Sequence, residues 1–269
     1  MQFAAKAVPL SRQGLAAALD VLHLGAGEAA ALWCVFEVET SGVTQGFGFR
    51  PDRRPEILFE RHKFREFTAG RFNQSHPDLS GNQGGYGTLA SQYDKLERAL
   101  KLSQDAGLGD EPALKSASWG IGQVMGFNHQ AAGYASAHKM VEAMVQGEDA
   151  QVMAVARFMV DRGLDKALRN KDWERFARLY NGKTYAQNQY DVKLQVQYAR
   201  FAGGSLPDLE MRAAQAALLL LGYSPGKIDG ILGRRTRDAL RAFQLGAGLA
   251  ATGELNSDTY STLWSRAFA

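Results

Sequence analysis

Cysteine is almost absent from this sequence, and long apolar runs are absent too. The 269 residues contain one cysteine, Cys34, so no disulfide can form within the chain. Cys34 lies in an apolar helical run, which indicates a packed thiol rather than a nucleophile. The longest apolar stretch, 213–221, is interrupted by Gln215 and is too short to cross a bilayer. We therefore expect no integral membrane segment.

The sequence also has little excess charge of either sign. Lysine and arginine number 31 against 28 acidic residues, and the net charge of +3 suits an anionic partner without predicting nucleic-acid binding. The five histidines are scattered, with no HxxxH or HExxH pair, so the sequence predicts no metal site. It has no G-x-S-x-G motif and no phosphate-binding glycine loop, and we expect no cofactor.

Helical periodicity dominates the rest of the sequence. Residues 43–60 are punctuated by glycine and proline, and we interpret 45–49 and 56–60 as a small hairpin. The stretch 203–207, GGSLP, is the clearest linker. The sequence thus predicts a mainly α (α+β) fold with a domain over 1–202, a linker over 203–207 and a three-helix domain over 208–269, without internal repeats. The predicted helices span 11–24, 28–40, 88–105, 137–146, 149–162, 172–180, 185–201, 208–221, 234–245 and 257–266.

Glu39 lies near the end of an apolar predicted helix. Projected at about 100° per residue, Glu39 falls between Val35 and Leu32 in the apolar stripe, whereas Glu37 falls on the opposite side. Apolar surroundings and the negative end of the helix dipole both raise the pKa of a carboxyl group. A carboxylic acid that stays protonated near neutral pH can protonate the leaving oxygen of a glycoside. The alternative is a glutamate that reaches solvent or pairs with an arginine.

Several ordered motifs resemble a known family. Residues 38–42, VETSG, are similar to the E-S-x-G helix end of goose-type lysozymes and lytic transglycosylases, with Thr40 where serine is usual. Residues 118–125, SWGIGQVM, and 180–182, YNG, are similar to their S-x-G-x-x-Q-x-M and Y-N-x-G segments. Segments 55–62, 84–87, 116–129 and 190–194 more closely resemble the N-acetylmuramidase family of phage endolysins. The resemblance covers roughly residues 10–202 and implies a lysozyme-like domain with Glu39 as the catalytic acid.

The resemblance also implies a sugar-binding groove. Short polar side chains in a glycine-rich stretch suit hydrogen bonds to N-acetyl and hydroxyl groups, and amphipathic rings suit stacking on sugar faces. Core packing is an equal alternative for Trp119, and a helix-terminal core position is the alternative for Tyr180. The implied substrate-binding residues are Tyr86, Ser118, Trp119, Gln123, Tyr180 and Asn181.

Glu60 is the leading candidate for a second carboxylate. In an extended segment Glu60 projects with Leu58 and His62 away from the apolar side, where it can position or activate water. Glu56 and Asp52, at the turn, are weaker candidates. Without a second acid, the acetamido or 6-hydroxyl group of the substrate would act instead. The competing interpretation of Glu60 is an ion pair with Arg53, Arg54, Arg61 or Arg65.

The C-terminal segment 215–263 resembles the small peptidoglycan-binding domain of many wall hydrolases. Most of the matching residues determine the fold, because they form turns and shared helix faces. Such a module raises the local enzyme concentration on an insoluble wall. Its expected wall-binding neighbourhood is Asp229, Gly230, Thr236 and Gln244.

Together these features predict a monomeric muramidase that cleaves the β-1,4 bond between N-acetylmuramic acid and N-acetylglucosamine in bacterial peptidoglycan. The alternatives are a lytic transglycosylase acting on the same bond and a wall-binding protein without activity. Residues 1–10 contain one lysine and no charged segment followed by an apolar one, so we expect no secretory signal. Synthesis in the host cytoplasm and action on the wall after release would follow.

Overall fold

The computed structural model describes residues 2–40, 46–182 and 185–269. Within these residues the chain forms thirteen α-helices, with short 3-10 turns between some of them. The helices are α1 (Arg12–Val21), α2 (Ala29–Thr40), α3 (Arg61–Phe67), α4 (Gln92–Asp105), α5 (Glu111–Lys115), α6 (Ala137–Met144), α7 (Glu148–Asp161), α8 (Leu164–Asn170), α9 (Trp173–Asn181), α10 (Tyr190–Ala202), α11 (Leu209–Leu220), α12 (Arg234–Gly246) and α13 (Ser257–Phe268). The mainly helical fold predicted from the sequence is confirmed.

Three of the helices, α3, α5 and α8, were not predicted. Each has five to seven residues, which is less than two full turns. So short a segment contains too few apolar positions to establish a 3.6-residue period. Among the described residues, no single helix has both the length and the apolar character of a membrane span. The pair formed by α1 and the stretch 26–40 meets these two criteria together, but it is bent by 91°.

A small antiparallel sheet contains β1 (Ile57–Phe59), β2 (Ala117–Trp119) and β3 (Val124–Met125), in that order. The predicted hairpin between 45–49 and 56–60 is present in part, since the Glu56 N–H donates to the Gly48 carbonyl and the Arg50 N–H donates to the Arg54 carbonyl. Within the described part of those segments, Phe49 forms one isolated antiparallel bridge with Pro55, while β1 pairs with β2 some sixty positions later. The glycine and proline pattern indicated the turn correctly, but a distant strand partner leaves no local signal. Gln45 lies outside the described residues.

Helix α2 is the central helix of the larger core. Its residues from Ala29 to Phe36 are all buried, and α10 packs along it. Cys34 is fully buried there and donates to the carbonyl of Ala31, and burial raises the pKa of its thiol. This confirms the interpretation of Cys34 as a packed thiol.

A second, smaller core surrounds α11, α12 and α13. Most of its members come from these helices, including Leu218, Leu240 and Phe243. Phe47 and Phe49, from the stretch that follows α2, are fully buried in the same core. The C-terminal helices therefore pack directly on residues from the first part of the chain.

The C-terminal helices contain an internal repeat, contrary to our expectation. Gln215 accepts a hydrogen bond from the Gly230 backbone N–H and donates to the Ile231 carbonyl and the Thr236 hydroxyl. The same three contacts recur one helix later in a second set of residues. The repeat consists of a few polar positions separated by unequal loops, which explains why it was missed. The second set is Gln244, Gly253, Glu254 and Thr259.

Candidate active site

Glu39 lies in the last turn of α2 and is only partly exposed. Burial among apolar groups raises the pKa of its carboxyl group to about 7, while a hydrogen bond from the Tyr190 hydroxyl lowers it to a smaller extent. No other carboxylate in the described residues contributes to this shift, so burial and not a like charge is its cause. Near neutral pH the carboxyl group therefore holds its proton for much of the time.

Two tyrosines connect Glu39 to the sheet. The rings of Tyr180 and Tyr190 are stacked, with centroids 6.3 Å apart and an interplanar angle of 14°. The Tyr180 hydroxyl donates to the carbonyl oxygen of Gly122 at 2.5 Å. Gly122 belongs to the turn between β2 and β3. Tyr180 thus stacks on Tyr190, and Tyr190 is the residue that contacts Glu39 directly.

Glu37 and Glu39 differ as their positions on the helix predicted. Glu37 pairs with Arg200 at 3.2 Å and with Lys227 at 3.3 Å. Glu39 has neither a cation among the causes of its pKa shift nor a salt bridge within the described part of the chain. Because Glu37 carries the ion pairs, Glu39 is left in a setting that favours its neutral form. The motif residues Ser41 and Gly42 lie outside the described residues.

The turn between β2 and β3 is held by its own polar side chains. The Ser118 hydroxyl donates to Oε1 of Gln123 at 2.7 Å, and Nε2 of Gln123 donates to the Gly120 carbonyl at 2.8 Å. Gln123 adopts a left-handed backbone conformation (φ 47°), which is uncommon for residues other than glycine. Ser118 and Gln123, both predicted to bind substrate, are thus hydrogen-bonded to each other.

Trp119 is a core residue, and its predicted stacking on sugar is wrong. Its side chain is fully buried, and Nε1 donates to the Leu114 carbonyl at 3.1 Å. Its ring stacks on Phe3 with a centroid distance of 5.8 Å. Alternation along β2 explains this, because Ser118 and Trp119 point to opposite faces of the sheet.

Glu60 directly follows β1, is the N-cap residue of α3 and is partly exposed. Its Oε2 atom is 3.0 Å from Nδ1 of His62, and neither atom has a hydrogen-bond partner among the described residues. Burial and the negative charge of Glu60 raise the pKa of Tyr86. The predicted arginine pairing of Glu60 is absent from the described residues, where histidine is the partner.

Glu56 is the more deeply buried acid of the sheet, with 4% of its surface exposed. Burial raises the pKa of its carboxyl group to about 7, the nearby Arg50 lowers it and Asp52 raises it slightly. Its Oε1 atom has no hydrogen-bond partner among the described residues. Glu56 therefore shares the raised pKa of Glu39 without sharing its tyrosine partner.

A cavity of about 490 Å³ opens beside His62, the residue that contacts Glu60. Its walls come from α3 and the long loop that follows, and they carry amide, guanidinium and carboxylate groups. The cavity is lined by His62, Arg65, Glu66, Ala69, Gly70, Asn73, Asn82 and Gln83.

The predicted substrate-binding residue Asn181 is the last residue of α9 and is exposed.

Three of the four wall-binding candidates serve the fold. Gln244 is fully buried, and all its hydrogen bonds are internal. Thr236 is 2% exposed and donates to the Pro225 carbonyl. A Cβ atom on Gly230 would lie 2.6 Å from the backbone of Asp208. Asp229 is partly exposed and caps the Ile231 N–H through one oxygen.

Tyr190 is the site residue that sequence reasoning did not select. It lies in the segment 190–194 that resembles the muramidase family, so the signal was present, but its spacing from Glu39 in the chain gave no indication of contact. Packing of α10 against α2 creates that contact.

Two family models and a solved structure match this chain. The sequence model of the N-acetylmuramidase family matches residues 28–202, and that of a putative peptidoglycan binding domain matches residues 208–263. A solved structure, the crystal structure of the Burkholderia AP3 phage endolysin, is 40% identical over 72% of this chain and 71% of that one, with a TM-score of 0.60. A search of curated proteins found no match. The chain belongs to the N-acetylmuramidase family and is a lysozyme-type glycoside hydrolase with a peptidoglycan-binding domain.

Proposed function

We propose that this enzyme hydrolyses the β-1,4 bond between N-acetylmuramic acid and N-acetylglucosamine, with Glu39 as the general acid. The observation that carries the proposal is the setting of Glu39: a partly exposed carboxyl group, made neutral by burial and bonded by one tyrosine. A partly exposed carboxyl group that holds its proton can donate it to the leaving glycosidic oxygen.

Tyr190 supports this role through orientation. Its hydroxyl contacts Oε1 of Glu39, so the second oxygen, Oε2, is the one available to a substrate. Stacking on Tyr180 holds the Tyr190 ring, and Tyr180 is itself held by Gly122. A general acid must lie within hydrogen-bond reach of the oxygen that it protonates, and this series of contacts limits the motion of Glu39.

Glu60 is the second carboxylate in our proposal. Its position beside His62 and Tyr86, directly after β1, suits a group that orients water toward the sugar ring. The polar cavity next to His62 has the amide and cationic groups that would bind acetamido and hydroxyl groups of the glycan. Ser118 and Gln123 contribute by fixing the turn between these two parts of the site.

Residues 203–207 separate two functional parts in this proposal, a catalytic domain over 1–202 and a wall-binding module over 208–269. A cavity of about 340 Å³ in the module is our candidate wall-binding surface. It includes the exposed Ile231, together with Lys227, Asp229, Arg234 and Arg235. The cationic groups suit an anionic wall.

The relative of known structure is a phage endolysin. By analogy, we propose that this chain also acts as an endolysin, is synthesised in the cytoplasm and reaches the periplasmic wall after release.

Digestion of purified sacculi tests the reaction. Mass spectrometry of the products of the wild-type enzyme should find reducing N-acetylmuramic acid ends, and Glu39→Gln should release none. The variant keeps the size of the side chain and an oxygen that can accept from Tyr190, so loss of activity with an unchanged circular dichroism spectrum supports the acid role.

Other products would contradict the proposal in distinct ways. Anhydro-muramic ends would identify a lytic transglycosylase, because the 6-hydroxyl group of the sugar would have replaced water. Reducing N-acetylglucosamine ends would move the cleavage to the other bond of the strand. Full activity of Glu39→Gln would remove Glu39 from the mechanism.

A further inference from the structure

The contact between the wall-binding module and the catalytic domain is buried and charged. Arg212, on α11 of the module, is 1% exposed, and Glu148, at the start of α7, is fully buried. The guanidinium binds both carboxylate oxygens of Glu148. Trp33 and Phe47 lie on either side of it, with ring centroids 5.6 Å and 5.8 Å from the guanidinium carbon. A flexible tether would not require a desolvated ion pair of this kind.

The same ion pair holds the backbone of residues 46–49. Arg212 donates to the Gly46 carbonyl at 2.6 Å, and Oε1 of Glu148 accepts the Gly48 N–H at 2.9 Å. Gly46 has a φ of 105°, and a Cβ atom there would lie 2.6 Å from the Ile228 carbonyl oxygen of the module. This stretch is therefore enclosed between the two domains, and it begins seven positions after Glu39 in the sequence.

From residues 46–49, contacts continue to the active site. Gln151 donates to the Gly48 carbonyl at 3.4 Å, and its Oε1 accepts the Ile121 N–H at 2.9 Å. Ile121 precedes Gly122, whose carbonyl oxygen accepts the Tyr180 hydroxyl. The fully buried side chain of Gln151 thus links the backbone at Gly48 to the turn that bonds Tyr180.

We propose that Arg212 is a positioning residue for catalysis, and that the wall-binding module completes the active site instead of only tethering it. The proposal rests on the catalytic role of Glu39. Without the paired hydrogen bonds between Arg212 and Glu148, residues 46–49 and the turn at Gly122 would no longer be held in place. Small displacements of this kind, far from the reacting atoms, reduce kcat because the acid no longer meets its oxygen at the correct distance.

Three full-length variants test the proposal on soluble glycan strands freed of their stem peptides. Arg212→Met removes the cation. Arg212→Lys keeps a positive charge beside Glu148 but cannot form the paired hydrogen bonds that the two guanidinium nitrogens donate to its carboxylate. Arg12→Met is the matched control, because Arg12 forms a 3.0 Å ion pair with Glu210 between the same two domains, but both side chains are exposed. Each rate is divided by the folded fraction measured by circular dichroism.

We expect kcat of Arg212→Met on soluble strands to fall at least about tenfold at an unchanged KM, with an equal loss on sacculi. Arg212→Lys should recover the melting temperature more completely than it recovers kcat. Arg12→Met should stay within about twofold of the wild type.

Two results would overturn the proposal. If kcat on soluble strands is unchanged and only sacculus digestion falls, the module is a tether. If only the melting temperature falls, with kcat per folded molecule intact in both Arg212 variants, the ion pair serves stability alone. Glu39→Gln, assayed in parallel, separates these results from failure of the acid assignment, because the ratio of Arg212→Met to wild type does not depend on which residue is the acid.

Discussion

Burial raises the pKa of both Glu39 and Glu56 to about 7, but the two carboxyl groups differ in exposure and in hydrogen bonding. Glu39 is partly exposed and accepts a hydrogen bond from Tyr190. Glu56 is almost fully buried, and its Oε1 atom has no partner among the described residues. Burial alone is therefore sufficient to keep an acid neutral. Access to substrate and a group that orients the acid are what distinguish a candidate catalyst.

The strongest test of this comparison replaces each acid by its amide. We expect Glu39→Gln to reduce kcat on sacculi by about a thousandfold or more, because an amide cannot donate the proton of a general acid. Glu56→Gln should stay within about threefold of the wild type. A loss in Glu56→Gln as large as that in Glu39→Gln would reverse the assignment. Turbidity clearance of sacculi measures both.

The variant Glu60→Gln tests whether a second carboxylate contributes to catalysis. We expect kcat to fall about a hundredfold, because the amide cannot act as a base toward water. His62→Gln, which removes the contact of Glu60 without removing the carboxylate, should lose less. Unchanged activity of Glu60→Gln would leave the groups of the substrate itself as the second partner.

Tyr190→Phe tests the orienting group. The hydrogen bond from Tyr190 lowers the pKa of Glu39, so its removal should raise that pKa and extend activity to higher pH. In the wild type, kcat/KM should decline as pH rises above about 7, because the acid loses its proton. At pH 6 we expect about a tenfold lower kcat in the variant. Tyr180→Phe is the control, since its hydroxyl bonds Gly122 and should leave the alkaline limb in place.

The smallest expected effect concerns stability. An unfolded glutamate loses its proton near pH 4.5, whereas folded Glu56 loses it near pH 7, so the folded state binds more protons between these values. The free energy of unfolding should therefore fall as pH rises from 5 to 8, by up to about 3 kcal/mol from Glu56. Glu56→Gln should have a shallower pH dependence in urea titrations. Identical slopes would mean that Glu56 is better solvated than its burial indicates.

Local patterns in the sequence predicted much of the fold. The first helix was predicted to begin at residue 11, and Ser11 is its cap, since its hydroxyl accepts the Gly14 N–H. The acid at the end of α2 followed from its angular position among apolar residues, and so did the contrast with Glu37. Helix caps and angular positions depend on neighbours within a few positions, which is why the chain itself specifies them.

Tertiary packing decided which polar residues face a ligand and which support the fold. Gln244 and Trp119 match family motifs, yet both are fully buried: Gln244 bonds the turn and helix that follow it, and Trp119 stacks on Phe3. The contact of Tyr190 with Glu39 and the pairing of Arg212 with Glu148 join residues 151 and 64 positions apart. No periodicity records such contacts, because they exist only when separate helices pack together. The sequence by itself determined the longer helices and the place of Glu39 at the end of α2; packing determined what Glu39 touches.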